Sequence, residues 1–374
     1  MRSILDLLCF KQRRKDEGLV LAPIWHSGSK GDKMTLPPKR GRYFQFKELQ
    51  KCTDNFSKTN EIGESVYGKV FCFILNGFRF IKVVVQMGSL LPYIDLKKDP
   101  HLTTLRDSKL KLRCYLPHHK SIVSILGFCF ERGEKLLVRE YISKGKLRDN
   151  LDGNGGMYLD WEKRLQIALD SARGLAYLHE QHIVHCDINT VNILLDENLN
   201  AKITDFGFAR WVDMHVSSQV TGTTARQESG CTEILRRDAP EFYLLGGRFS
   251  KKSDVYNFGM VMLELLTGRH VYEFGTDGNT FLDEKVEGAI DENERKHYGL
   301  RDIIDPQIVN QVKNVGLRKF VQLAMKCLKY SASDRPSMSE AMREIEIVLE
   351  LDGSEETTAV DHSADFGYIS GEMA

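Results

Sequence analysis

The chain has no excess of charge of either sign: 52 Lys and Arg stand against 52 Asp and Glu in 374 residues. That balance gives no reason to expect nucleic acid as a bulk partner. The eight cysteines form no C-x-x-C pair and lie in no His-rich spacing. Neither a zinc site nor a disulfide framework is expected, and the thiols read as reduced and intracellular. A membrane span is also missing, since one needs ~20 consecutive apolar residues. The N-terminal run at residues 4–10 is short, holds Asp6, and is followed by Lys11, Arg13, Arg14 and Lys15. An apolar run meeting a basic cluster resembles the cytoplasmic end of a span. A signal peptide would carry its charge on the other side. Two readings stand: a frayed tail, or the remnant of a segment next to a membrane. Arg2 occupies the place where N-myristoylation requires glycine. No internal repeat is visible. No glutamate occurs between Glu64 and Glu131.

What is present suits a folded domain. With 42% hydrophobic and 28% charged residues, the chain can bury a full core. Residues 16–42 hold Pro23, Pro37, Pro38 and four glycines without periodicity, and read as a linker. Phe46 to Phe56 suggests a short helix leading into strands. Residues 62–85 are rich in Val, Ile and Phe around Asn76-Gly77, a hairpin signal. Residues 89–118 carry no clear pattern. Leu165, Ala168, Ala172 and Leu175 mark one face of a helix over 161–179. Residues 253–268 are apolar almost all round, as a buried helix is, with Gly268 placed to cap it. Helical patterns recur at 317–328 and 337–349. The acidic stretch after Leu351 reads as disordered.

The segment His185–Gly207, HCDINTVNILLDENLNAKITDFG, carries the chemistry. It resembles the active centre of a eukaryotic protein kinase, a catalytic loop H-R-D-x-x-x-x-N followed by D-F-G. Asp187, Asn192 and Asp205 match. One carboxylate accepts the proton of an incoming hydroxyl, while the amide and the second carboxylate hold Mg²⁺ against the phosphates of ATP. The stretches FQFKELQKCTDNFSKTNEIG, SIVSILGFCFERGEKLLVREYISKGKL, LDWEKRLQIALDSARGLAYLHE, KSDVYNFGMVMLELLTG and DRPSM are similar to plant receptor-like kinases of the leucine-rich-repeat class. The resemblance covers about 44–350. It implies an α+β, two-lobed eukaryotic protein-kinase fold: a small lobe at 44–142, a large helical lobe at 143–350, a linker at 1–43 and a tail at 351–374.

The same resemblance exposes the departures. Arg of H-R-D is Cys186, expected as a small core residue, and the loop Lys is Asn189. The resemblance implies nucleotide contacts from Gly63, Ser65, Gly68, Val70, Lys82, Val83, Arg139, Glu140 and Ile142. Ser65 replaces the second glycine of G-x-G-x-x-G-x-V. A gapless comparison from Asn76-Gly77 puts Val83 in the slot of the strand lysine, and Gln86 and Gly88-Ser89 then match too. A one-residue deletion restores Lys82 but sets Phe80 where the family has Ala. The glutamate that pairs with that lysine is missing: Leu110 holds its slot, with Asp107 nearby. Arg139 stands at a bulky position behind the nucleotide. A buried guanidinium needs an anion, and it is expected to turn toward Asp205.

Other parts match the scaffold. Ala239-Pro240-Glu241 fits A-P-E, Glu241 and Arg335 resemble the family's buried ion pair, and Asp254 the aspartate under the catalytic loop. Residues 224–238 read as an insertion in the activation segment. Phosphoryl transfer rests on positioning and charge, and losing one preorganised charge contact costs ~10²–10³ in rate. The sequence therefore points to a catalytically impaired pseudokinase, a signalling adaptor with weak Mg-ATP binding. Its partner would be another kinase or a membrane receptor complex, at the inner face of the plasma membrane. The alternative is a weak Ser/Thr kinase with a protein substrate. A decaying gene product is the third reading.

Overall fold

The computed structural model describes residues 42–65, 68–74, 82–87, 118–212, 220–221, 239–244, 248–271, 282–290 and 298–353. The Asn76-Gly77 turn, Leu110 and Asp107, the 224–238 insertion, the 1–41 segment and residues 354–374 lie outside the described residues.

The small lobe is a six-stranded sheet built from β1 (Arg42–Tyr43), β2 (Glu61–Ser65), β3 (Gly68–Ile74), β4 (Lys82–Met87), β5 (Ile125–Glu131) and β6 (Glu134–Glu140), in the order β1-β5-β6-β4-β3-β2. Residues directly opposite across a ladder share a face, and neighbours along a strand alternate. Phe71 and Phe73 of β3 therefore share a face with Leu136 and Val138 of β6. Phe73, Leu136 and Val138 pack there with Phe44, Phe46, Leu49 and Cys129 beneath the short helix α1 (Phe46–Cys52). The other face carries Val70, Leu137 and Arg139.

In β4, Val83 pairs with Phe73 and Glu140, Lys82 with Ile74, and Val84 with Cys72 and Arg139.

The sheet gains β1 by parallel pairing with β5, an addition with no sequence signal. Arg42 lies opposite Gly127, and a Cβ on Gly127 would sit 1.9 Å from the Arg42 carbonyl oxygen. The close approach requires glycine. Gly127→Ala is expected to release β1 and α1 from the sheet. The cost would be about 1–3 kcal/mol, as for overpacking elsewhere, with faster proteolytic cleavage in 42–56. A variant as stable and as resistant as the parent would refute the role.

The large lobe is helical. Its helices are α2 (Leu147–Leu151), α3 (Trp161–Glu180), α4 (Pro240–Leu244), α5 (Lys251–Thr267), α6 (Leu282–Ala289), α7 (Tyr298–Arg301), α8 (Asn314–Cys327) and α9 (Met338–Gly353). α3 starts where the Asp160 side chain accepts from Lys163 N at 2.8 Å, and buries the expected Leu165, Ala168, Ala172 and Leu175. α5 opens on a capping box of Ser250 and Ser253 and ends at Gly268, whose φ of 68° is the left-handed stop. Every residue from Ser253 to Thr267 is buried, as expected for a helix apolar all round. α9 runs to Gly353, past Leu351, where the acidic tail was expected to begin; Lys313 Nζ holds the Asp352 carbonyl at 2.6 Å. Among the described residues no helix is long and apolar enough to cross a membrane.

Candidate nucleotide and metal site

The catalytic loop is held from below. Asp254, fully buried on α5, accepts the backbone N–H groups of His185 and Cys186, each at 2.8 Å, and lies 2.9 Å from His179 Nε2. This is the bracing role expected of Asp254. The two bonds offset the strain at Cys186, whose φ of 66° is unusual for a residue with a Cβ. The Cys186 side chain is buried among Val184, Val212, Phe242 and Phe249. The expected core role holds: sulfur and aromatic carbon tie the loop to the Phe242 helix where an arginine would have offered charge.

His185 orients the next link. Its Nδ1 accepts from Asp187 N at 3.3 Å, so Nε2 carries the proton and donates to the Thr204 carbonyl at 3.0 Å. Its ring lies 5.1 Å from that of Phe206. The loop and the Asp205-Phe206-Gly207 turn are thereby linked. A second link is the hairpin of β7 (Ile193–Leu195) with β8 (Ala201–Ile203), extended by Thr204 N donating to the Asn192 carbonyl at 2.9 Å.

These links bring Asp187, Asn192 and Asp205 to one place. Asn192 Nδ2 donates to the Asp187 carbonyl at 2.9 Å and to Asp187 Oδ2 at 2.8 Å, which leaves its amide oxygen for a cation. Asp205 adopts the left-handed conformation, φ 62° and ψ 71°, and its Oδ1 accepts from Gly207 N at 3.3 Å. Burial first, and then the charge of Asp187, raise the Asp205 carboxyl above the usual carboxylate range. Two carboxylates repelling one another beside an amide oxygen form a hard-oxygen donor set that fits Mg²⁺.

Asn189 does not reach outward as a lysine would. It is buried, and its Oδ1 accepts from Val191 N and Asn192 N at 2.9 and 3.0 Å. Its Nδ2 faces Asp187, 3.2 Å from the carbonyl and 3.4 Å from Oδ1. The amide has become a clip for the loop backbone.

Sequence reasoning named Ile142 but missed the two residues it packs with, Leu194 and Val123. The chain leaving β6 is pinned beside Leu194, with Lys144 N donating to Leu195 O and Leu195 N to Gly145 O. An apolar residue after Asn192 would have been the signal. Glu140 is engaged at the edge: its Oε1 accepts from Ser124 N at 2.7 Å and pairs with Lys202 Nζ at 2.9 Å. On the opposite side Gly63 lies across from Val70, and Ser65 across from Gly68, whose φ of 116° needs glycine.

Arg139 departs from expectation. Its guanidinium lies within the electrostatic reach of Asp205 and Glu140, but no ion pair with Asp205 forms. Burial lowers its affinity for the proton, opposed first by Asp205. The side chain is half-buried overall, while Nε is fully enclosed and lacks a hydrogen-bond partner. The charge is held near the carboxylates without touching them.

A small sheet over a helical lobe, with these carboxylates at the junction, defines a protein-kinase fold. The family model for protein tyrosine and serine/threonine kinases matches residues 56–345, and the chain belongs to that family. It is 38% identical over 339 residues to a probable leucine-rich repeat receptor-like protein kinase of Arabidopsis thaliana, covering 88% of this chain and 33% of that protein. It is 34% identical to the receptor-like protein kinase ANXUR2 of Arabidopsis thaliana, covering 85% of this chain and 35% of that one. The proline-rich receptor-like protein kinase PERK3, also of Arabidopsis thaliana, is 31% identical, with 92% and 62% covered. The chain thus spans about a third of the length of the first two.

Proposed function

We propose that this kinase domain binds a Mg²⁺-nucleoside triphosphate weakly, transfers phosphate poorly, and acts in signalling mainly as an adaptor for another kinase or a membrane receptor complex. One observation carries the reading. The acidic half of the site, Asp187, Asn192 and Asp205, lies together, while the loop lysine is replaced and the arginine gained nearby is unpaired. Asn189 is turned into its own loop, and Arg139 touches no anion among the described residues. Mg²⁺ held by Asn192 and Asp205 would screen the charge of the phosphates. Leu194 and Ile142 would seat the base, and Gly63, Ser65, Gly68 and Val70 would cover the nucleotide. The resemblance to receptor kinases supports the partner class and a place at the inner face of the plasma membrane.

In this reading Lys82 is the cation that β4 offers to the phosphates, and Val83 is not. A titration with Mg-ATP should give an affinity that collapses when Mg²⁺ is chelated, beside autophosphorylation near background. Lys82→Met should weaken binding about tenfold, the weight of one charge-assisted contact. Robust phosphate incorporation that vanishes in Asp187→Asn would instead establish the second reading, a weak Ser/Thr kinase, which the assembled Asp187–Asn192–Asp205 centre favours. Unchanged affinity in Lys82→Met would remove Lys82 from the site.

A further inference from the structure

We propose that the outer face of α8 and α9 is an interface for a second copy of this chain, formed about a two-fold axis and held by charge. The proposal does not rest on the nucleotide reading.

The first argument is charge. Helical residues three and four apart share one side. On α8 the exposed stripe is Val315, Arg318, Gln322 and Lys326. The helix also holds Lys319 and has no acidic residue. On α9 the exposed stripe is Glu340, Glu344, Ile347 and Glu350. That helix has one cation, Arg343, against five acids. Glu346 is paired with Arg173. Among the described residues no ion pair engages Lys326, Glu344 or Glu350.

The second argument is geometry. The two helices pack side by side and run in opposite directions. At one end Lys313 Nζ holds the Asp352 carbonyl at 2.6 Å, and at the other Glu340 lies near the charge of Lys326. A Cβ on Gly316 would come within 3.3 Å of Asp352 Oδ1, so these two residues stand at one level. Counting from them at ~1.5 Å per residue, Arg318 is level with Glu350, and Lys326 lies between Glu344 and Glu340. Half a turn about an axis along the seam keeps every level and exchanges the helices. Each α8 then faces the other copy's α9. Arg318 stands opposite the partner's Glu350, Lys326 opposite the partner's Glu344, and symmetry repeats both contacts.

The third argument selects the occupant. A foreign acidic segment would suit α8 and be repelled by α9. The same holds for the chain's own 354–374, which has Glu355, Glu356, Asp361, Asp365 and Glu372 and no Lys or Arg. A second copy brings both signs in matching order. Of the five large hydrophobic side chains exposed among the described residues, Val315, Tyr330 and Ile347 lie on these helices or just past them.

Size sets the strength. α8 is ~21 Å long and two packed helices span ~20 Å, which gives ~400 Å² per copy. A stable interface takes about 800 Å² from each partner. The dimer is therefore weak, and salt should dissolve it.

Sedimentation equilibrium of the full chain, up to several hundred micromolar, tests this. It should show a monomer–dimer equilibrium that weakens about tenfold or more between ~0.05 and ~0.5 M salt. Arg318→Glu with Lys326→Glu makes both helices acidic, and Glu344→Lys with Glu350→Lys makes both basic. Each of these two variants should lose about tenfold or more in self-association, because like charges then meet. Mixed together, they should associate about as well as wild type, read from a fluorescent trace of one sedimenting in an excess of the other. The chain with all four substitutions restores both signs and should dimerise, and it serves if a one-sided variant melts early. A wild type that stays monomeric at low salt overturns the proposal. So does a dimer indifferent to salt or to either pair of substitutions. Loss in the α8 variant alone would place another acidic segment, such as 354–374, on α8 and also overturns it. A mixture that stays monomeric does the same.

Discussion

Arg335→Ala should destabilise the domain by about 3–5 kcal/mol, the cost of removing one partner of a buried ion pair. Its side chain is 0% exposed and grips Glu241 twice, Nη1 to Oε1 at 2.7 Å and Nη2 to Oε2 at 2.8 Å. The remaining donors reach the carbonyls of Lys329, Lys252 and Tyr330, and the guanidinium stacks over Tyr256 at 4.9 Å. Truncation leaves Glu241 with the Ser253 hydroxyl in place of its cation and takes the donor from three carbonyls at once. Arg335→Lys should recover only part, because an ammonium cannot match the two-pronged contact. Urea titrations of the three proteins measure this. The effect should also depend on pH. Burial alone would raise the Glu241 carboxyl, but the hydrogen bonds and charge of Arg335 outweigh it and hold the carboxyl below its usual range. A depressed folded-state value means that the contribution is present above the unfolded carboxylate value and is lost as pH falls through the folded one. Without Arg335, burial is opposed only by the hydrogen bonds from Ser253 and the backbone, and protonating Glu241 then relieves the variant. The gap between wild type and Arg335→Ala should therefore narrow as pH falls from 7 toward ~4. A gap that stays constant or widens would show that lost packing, not the ion pair, sets the cost.

The large lobe was legible because local rules and global packing agree there. The 3.6-residue spacing of Leu165, Ala168, Ala172 and Leu175 is the face that α3 buries, and Gly268 stops α5 with a positive φ. The resemblance to kinases supplied the long-range pairs, Glu241 with Arg335 and Asp254 under the catalytic loop, which no periodicity could give. The small lobe was less legible. The choice between Lys82 and Val83 turns on a one-residue register, and a run of consecutive valines at 83–85 has no alternation to fix it. β1 is two residues long, and its pairing depends on the missing Cβ of Gly127, far away in the sequence. The expectation that Arg139 would pair with Asp205 failed for a geometric reason. Charge complementarity argued for attraction, but no sequence rule says whether a guanidinium rooted on β6 can close the distance. Asn189 was read as a lost lysine, and its gain as a backbone clip became visible only with Val191 N and Asn192 N in place.

Asp205→Asn is expected to lower Mg²⁺-nucleotide affinity by about 10²-fold or more, in the range of losing one preorganised charge contact. The reason is the imbalance at the junction. Asp205 and Asp187 repel one another, and burial adds to the pressure on Asp205. Among the described residues the one hydrogen bond to the Asp205 carboxylate, from Gly207 N, relieves little of it. A divalent cation would relieve both carboxylates at once, which is why the proposed function gives Asp205 to the metal. Replacing the charge by an amide keeps the shape and the bond from Gly207 but removes that tendency. The apo domain should accordingly be as stable as wild type or more so, because a destabilising buried charge has gone. Isothermal titration with Mg-ATP gives the affinity, and thermal melts with and without Mg²⁺ give the stability. The two readouts move in opposite directions only if Asp205 serves the metal. If both fall together, Asp205 is holding up the turn before Phe206, and the metal site must be sought elsewhere in the cleft.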